Sequence, residues 1–421
     1  MQYEEIVSTI EAKRRFGQAR GCDVTGEMME HLEHPEDGMK IIHIAGTNGK
    51  GSTAAFVSSI LQAADFVVGL FTSPHLIRFT ERIRVNDREI PEEDVVRLGE
   101  RLLALPMKAE CTMFDLCLGI AVLYFREQHC DYVILETGLG GTGDSTTGLR
   151  QVPLLCAITN IGLDHTQILG DTIEKIAAEK AGILKKGTQA LLGIMDERAQ
   201  TVIEEQAHKL GVPCRNVDNL LTKISTYEIP LNGGFQRENA ALALGIVETI
   251  FNQESGYLLK RDDSLRVEDV IRNGMAGVRW PGRMEIVSKD PWMMLDGAHN
   301  PQGVEALFNF LSQTFPGEKY VFLTAVMGDK DYMGMMKTML PLADCFFAVT
   351  PDQSRAMKAE KLADELRELG ARAYACQESG QALQKARSMA KTEGKKMVAF
   401  GSLYFIGELK ADIEREEVKK Q

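Results

Sequence analysis

Apolar and polar positions along this chain switch between two periods. Short, almost wholly apolar runs at 40–45, 66–71, 132–136 and 154–159 read as strands buried on both faces. A second series begins near Trp292, with runs at 292–295, 320–324, 345–349 and 397–400. Stretches with helical spacing fall between the later strands, near 302–313, 331–340, 356–369 and 379–391. Strand alternating with helix predicts a parallel sheet covered on both sides. The longest apolar stretch, Leu116 to Phe125, is too short to span a bilayer and reads as a buried helix. Pro and Gly punctuate Arg279-Trp280-Pro281-Gly282-Arg283, which separates the two series and predicts a linker. No repeat relates the series, so two different α/β domains are expected. The charged stretch from Glu408 to Gln421 predicts a solvated helix or tail.

The strand ends carry the polar residues. Strand 40–45 runs into Gly46-Thr47-Asn48-Gly49-Lys50-Gly51-Ser52 and then a helix-like run. A glycine turn between a buried strand and a helix start presents backbone N–H groups and a positive dipole end to a phosphate. Lys50 adds a cation, and the Ser52 hydroxyl is a candidate for Mg²⁺. Only two residues separate Gly46 from Gly49-Lys50, and Gly51 precedes the hydroxyl, so this is a variant of the general phosphate loop. Strand 132–136 ends in Glu136, at the edge where open α/β sheets bind ligands and where a carboxylate can hold Mg²⁺. Ser73 follows strand 66–71, and Asp164-His165 follow strand 154–159. Ser73 is either a metal ligand or a turn serine, and His165 either a metal ligand or a loop residue. In helix 172–184, Ile173, Ile176, Ala177, Ala181 and Leu184 form one apolar stripe, with Lys180 on it. A lysine there either snorkels out or needs a partner, and a neutral amine can add CO₂ to become a metal-binding carbamate. Arg78, Arg82 and Arg84 alternate with apolar residues, as on a solvated strand face or a docking surface for an anion. In the second series, Leu295-Asp296-Gly297-Ala298-His299-Asn300-Pro301 is again strand, polar turn, helix. There Asp296 is a candidate for a ribose hydroxyl and His299 and Arg283 for phosphate.

Composition narrows the partners. The 421 residues carry a net charge of −12, with 44% apolar and 26% charged residues, as in a soluble globular protein and unlike a general nucleic-acid binder. The opening Met1-Gln2-Tyr3-Glu4-Glu5 has no basic region leading into an apolar core, so no signal peptide is expected. Eight cysteines form no CxxC and no zinc-like spacing with histidine, which predicts small buried hydrophobes in a reducing cytoplasm.

Together these segments resemble the folylpolyglutamate synthase/dihydrofolate synthase family of the Mur ligase superfamily. The likeness rests on the 46–52 turn, Thr72-Ser73-Pro74-His75-Leu76, residues 78–84 (RFTERIR) and Glu136-Thr137-Gly138-Leu139-Gly140-Gly141. It continues through residues 159–165 (TNIGLDH), 178–183 (AEKAGI), 280–283 (WPGR), 295–301 (LDGAHNP), Asp329-Lys330-Asp331 and Gly401-Ser402-Leu403-Tyr404.

The resemblance implies a P-loop parallel-sheet ATPase domain over 1–279, a hinge at 280–283 and a smaller Rossmann-like domain over 284–421 that binds glutamate. It assigns Gly46, Thr47, Asn48, Gly49, Lys50, Gly51 and Ser52 to the ATP phosphates, and Asn239, Arg283, Asp296 and His299 to the rest of the nucleotide. Ser73, Glu136 and His165 become ligands of two Mg²⁺ ions, with K⁺ a further ion. Lys50, His165 and a carbamylated Lys180 carry catalysis, which overrides the snorkelling alternative for Lys180. The expected substrates are ATP, L-glutamate and a reduced folate or dihydropteroate, in a cytoplasmic monomer with no nucleic-acid or membrane partner. Three departures stand out. Thr142-Gly143-Asp144-Ser145-Thr146-Thr147 replaces the usual Arg-Leu-Asp-Ala-Thr-Asn, two residues are added before His165, and Phe235-Gln236 replaces His-Gln. They border the expected pterin and adenine surfaces, so they bear on the acid substrate more than on ATP. A ligase for another carboxylate and a non-catalytic paralogue are the competing readings.

Overall fold

The computed structural model describes residues 1–14, 20–253, 266–328, 330–353 and 355–418. Asp329 of the Asp329-Lys330-Asp331 motif lies outside the described residues. The chain forms two compact units, Met1–Pro230 with Gln236–Arg279, and Leu231–Phe235 with Trp280–Gln421. The second unit thus takes in a five-residue excursion that the linear division at 279 does not contain.

The first unit is built on eight strands: β1 Ile41–Ala45, β2 Val68–Phe71, β3 Ile83–Val85, β4 Arg88–Glu89, β5 Tyr132–Glu136, β6 Leu155–Ile158, β7 Ala190–Leu192 and β8 Cys214–Asn216. Their order is β4-β3-β2-β5-β1-β6-β7-β8, and all pairings are parallel except those of β3 and β4 at one edge. Every residue of β1, β2, β5 and β6 is buried, which is why these runs show no alternation. Register brings Ile44 beside Glu136 and Ala45 beside Ile158, so the loops after β5, β1 and β6 leave the sheet side by side. The chain crosses from β1 to strands on either side, and such a switch point is where open α/β sheets bind ligands. The helix Met113–Glu127 is buried from Asp115 to Phe125, as its unbroken apolar run predicts.

The second unit is a six-stranded sheet in the order β13-β12-β11-β14-β10-β9. Its strands are β9 Glu285–Lys289, β10 Trp292–Leu295, β11 Tyr320–Thr324, β12 Ala343–Val349, β13 Ala373–Cys376 and β14 Lys396–Phe400. Among the described strands of this sheet, only β9 is antiparallel. Phe322 stacks between Tyr320 and Phe346 and meets Phe400 edge-on at 5.4 Å, making an aromatic centre for the core.

Two expectations about elements change. The helix read over 172–184 is α-helical only from Ile173 to Lys180 and tightens into a 3₁₀ turn over Ala181–Ile183. The alternating arginines do not lie on one strand. Residues Phe79–Arg82 form a 3₁₀ turn, and Arg82 is buried. All eight cysteines are free thiols. Burial pushes Cys117 to about 11 and Cys156 to about 12, far from the thiolate form a nucleophile needs. Among the described residues no helix is long and apolar enough to cross a membrane.

Candidate active site

The turn after β1 is shaped by neighbours that leave no room for side chains. Gly46 has φ 148°, and a Cβ there would sit 1.8 Å from Thr159 Oγ1. Gly49 is left-handed at φ 85°, and its Cβ would sit 2.2 Å from Asn239 Oδ1. Side chains from the β6 end stitch the turn in place. Asn48 N donates to Asn160 Oδ1 at 2.8 Å, Thr159 Oγ1 donates to the Asn48 carbonyl at 2.6 Å, and Gly162 N donates to Thr47 Oγ1 at 3.0 Å. The loop that carries Asp164 and His165 is therefore tied directly to the glycine turn. His165 is itself left-handed at φ 49°, and its N–H donates to Asp164 Oδ1 at 2.8 Å.

Two lysines converge on one carbonyl of this turn. Lys50 folds back so that Nζ donates to the Gly46 carbonyl at 3.2 Å and the Thr47 carbonyl at 3.3 Å. Lys180 Nζ reaches the same Gly46 carbonyl at 2.8 Å from the far end of the helix Ile173–Lys180. Lys180 is only 4% exposed, so it does not snorkel. Burial, with the nearby Lys50 charge second, pulls its amine down to about 7. A substantial neutral fraction near pH 7 is what addition to CO₂ requires.

Glu136, 5% exposed, closes the other side. Its Oε2 accepts the N–H of Ser73 at 3.1 Å, and its Oε1 lies 3.9 Å from Lys50 Nζ. Mg²⁺ takes hard oxygen donors and commonly binds through one or two carboxylates together with nucleotide phosphates and water. One buried carboxylate beside a serine suits that mode. Among the described residues no cluster of three His, Cys, Asp or Glu forms a self-sufficient metal cage.

Several residues that shape the site had no role assigned from sequence. Gln236, wholly buried, accepts from Asn239 Nδ2 at 3.0 Å and donates to Ser52 Oγ at 3.4 Å, linking the residue expected near adenine to the phosphate turn. Thr159 and Asn160 hold the turn. Their signal was available, since both are polar residues standing directly after an apolar strand. In the departing segment, Asp144 takes the N–H groups of Leu139 at 2.7 Å and Thr146 at 3.1 Å. Thr142 N and Oγ1 both donate to the Glu179 carbonyl, at 3.0 and 3.1 Å, so this loop is fastened to the end of the Lys180 helix. Phe235 packs against the core of the second unit.

In the second unit the turn after β10 gathers the other expected residues. Asp296, 4% exposed, accepts from Met284 N at 2.8 Å and Ala298 N at 2.9 Å. Burial raises its carboxyl above the usual range, and the Arg283 charge opposes that rise. His299 Nδ1 pairs with the Gly297 carbonyl at 2.8 Å, and the Arg283 guanidinium lies over Gly297, whose Cβ would meet Nη1 at 2.4 Å.

Residues 44–217 match the Mur ligase middle domain, and 282–403 match the Mur ligase glutamate ligase domain. The dihydrofolate synthase/folylpolyglutamate synthase of Bacillus subtilis is 34% identical over 97% of this chain and 98% of its own length. The chain belongs to the folylpolyglutamate synthase/dihydrofolate synthase family. As such it is an ATP-dependent ligase of two α/β domains. Solved structures of the family agree in fold. Mycobacterium tuberculosis folylpolyglutamate synthase complexed with ADP superposes with a TM-score of 0.87 at 26% identity, covering 98% of each chain. E. coli FolC in complex with DHPP and ADP superposes at 0.81 and 27% identity, covering 99% of each.

Proposed function

We propose that this chain uses ATP to join L-glutamate to the carboxylate of a reduced folate, of dihydropteroate, or of both. One observation carries the reading beyond generic phosphate binding: the buried Lys180 amine on the Gly46 carbonyl, beside Lys50 at the phosphate turn, with its proton affinity lowered by burial. A plain nucleotide-binding turn has no use for a second lysine that is buried and loses its proton this readily. A neutral amine attacks the carbon of CO₂, releases one proton and becomes a carbamate, an anion where a cation would otherwise stand.

A carboxylate is a poor acyl donor because oxide is a poor leaving group. Transfer of the γ-phosphoryl group of ATP to the substrate carboxylate releases ADP and gives an acyl phosphate. The glutamate amine then attacks the acyl carbon, loses a proton, and phosphate departs with the C–O bonding pair. The N–H groups of the 46–52 turn and Lys50 hold the phosphates and stabilise charge spread over the transferring group. Ser73, Glu136 and His165 would hold Mg²⁺, which would supply neutralisation of phosphate charge. Asn239, held by Gln236, is assigned to the adenine side. Arg283, Asp296 and His299 are assigned to the nucleotide, and the second unit to glutamate, with 280–283 as the hinge. The second Mg²⁺ ion, K⁺ and the monomeric state rest on the family resemblance, and the cytoplasmic location on that resemblance and on the cysteine pattern.

The test is ADP release with ATP, Mg²⁺ and L-glutamate, offering dihydropteroate and tetrahydrofolate separately. Turnover with at least one acceptor is expected, falling by roughly 10²-fold or more in Lys180→Ala, the scale of losing a preorganised charge. No turnover with either acceptor would move the acid substrate elsewhere, with residues 142–147 the first place to look.

A further inference from the structure

The segment that brings Ser73 beside Glu136 is held in shape by two residues further along the chain. The Glu81 carboxylate collects three consecutive main-chain N–H groups: Leu76 at 2.8 Å on Oε2, and Ile77 at 3.0 Å and Arg78 at 2.8 Å on Oε1. Its neighbour Arg82 acts on the other side of Ser73. The Arg82 carbonyl accepts the N–H of Thr72 at 3.0 Å, and Arg82 Nε donates to His75 Nδ1 at 2.9 Å. Residues 72 and 75–78 are thus tied to one dipeptide, while the N–H of Ser73 itself goes to Glu136. Arg82 is 5% exposed and its guanidinium is engaged with His75, so it is not part of a surface waiting for an anion. Arg78 points away from the segment, paired with Glu89 at 2.6 Å.

We propose that Glu81 and Arg82 are positioning residues for the cation–nucleotide complex, fixing the main chain of 72–78 so that Ser73 stays beside the Glu136 carboxylate. The proposal rests on the reading of Ser73 and Glu136 as Mg²⁺ ligands. Three main-chain N–H groups gathered by one carboxylate side chain make Glu81 an anchor for the segment. Groups that orient a ligand in this way commonly matter to metal affinity nearly as much as the ligand itself.

The test uses the full chain with ADP, with Mn²⁺ as a paramagnetic probe whose free fraction is read by electron paramagnetic resonance. Glu81→Ala is expected to weaken Mn²⁺ binding to the ADP complex by roughly 10- to 100-fold. Glu81→Gln is expected to fall between it and the parent, because the remaining oxygen still serves Ile77 and Arg78. Arg82→Met, which loses His75 but keeps its carbonyl on Thr72, is expected to cost less than Glu81→Ala. ADP affinity in EDTA is expected to stay within about twofold of the parent, a selectivity that general loosening of the fold does not produce. Should Glu81→Ala fail to fold, Glu81→Gln decides. Parent-like Mn²⁺ affinity in the Glu81 variants, with weak binding in Ser73→Ala and Glu136→Gln, overturns the proposal alone. Parent-like affinity in Ser73→Ala and Glu136→Gln as well overturns the ligand reading and the proposal with it.

Discussion

The turns after β1 and β10 have the same topology and opposite chemistry. Each leaves a buried strand flanked by strands on both sides, bends through a polar turn and enters a helix. After β1 the helix Lys50–Ala63 starts from left-handed Gly49, and among the described residues no side chain caps it. After β10 the helix Pro301–Thr314 starts from Asn300, whose side chain accepts the Gly303 N–H at 2.8 Å, with Pro301 removing one further N–H. Free N–H groups at a helix start attract anions, and a side-chain cap consumes them. The first turn therefore offers its helix end to a phosphate. The second spends its helix end on its own stability and presents side chains instead. Topology locates both turns at a ligand edge, and capping decides what kind of group each can take.

The most direct way to break the comparison is to close the first turn. Gly49→Ala puts a methyl into a left-handed position 2.2 Å from Asn239 Oδ1. Non-glycine residues held in that region cost about 1–3 kcal/mol. The expected result is ATP affinity roughly 10- to 100-fold weaker by calorimetry, with the second unit unaffected. Binding within a factor of two of the parent would mean that the turn does not need its glycine geometry to hold phosphate.

A smaller effect separates the strands themselves. β1 carries a titratable residue, His43, at its centre, whereas β10 reads Trp-Met-Met-Leu. His43 is buried, its Nε2 lies 2.7 Å from Thr146 Oγ1, and burial, with the Lys185 charge second, lowers it to about 3. The sign follows from proton uptake. Below about 6.5 the unfolded chain binds a proton that the native chain refuses, so stability falls by about 1.4 kcal/mol per pH unit until the folded value is reached. Above that range His43 contributes no pH dependence. Urea unfolding of the parent and His43→Gln at pH 7.0 and 5.5 checks this. The stability gap between them is expected to narrow on acidification by about 1.2 kcal/mol, since only the part of this range below about 6.5 contributes. Parallel profiles would show that His43 takes up its proton in the native state.

Much of the candidate site was legible where a polar residue stands at the stop of an apolar run: Gly46 after Ala45, Glu136 ending β5, Asp296 after Leu295. Helical spacing also put Lys180 on the buried face. What spacing could not give was its partner, the Gly46 carbonyl, 134 positions away in the chain. Arg82 was misread for a related reason. Its alternation with apolar neighbours has the period of a strand, but the Glu81 carboxylate gathers the amides of 76–78, and a 3₁₀ turn breaks the period. β7 and β8 escaped because three residues are too few to show any period. The tie between Gln236 and Ser52 was invisible because both look like ordinary polar residues until the fold brings them within 3.4 Å.

The finest test concerns the cap on the second turn. Asn300→Ala removes the oxygen that holds the Gly303 N–H, and losing such a cap costs typically about 1 kcal/mol. Asn300→Asp keeps an acceptor oxygen and adds negative charge at the positive end of the helix, so it is expected to hold stability near that of the parent. Chemical denaturation of the three proteins measures the order directly. If the comparison is right, Asn300→Ala loses stability but gains no affinity for inorganic phosphate at this helix. Pro301 still removes one N–H, and the buried Asp296 carboxylate still stands at the end of β10 and disfavours an anion. Phosphate binding that rises in Asn300→Ala alone would show that the cap was the sole barrier. The two turns would then differ by one side chain, and the glycines and lysines of the first would be a refinement of a site that any uncapped strand–helix turn in this chain can provide.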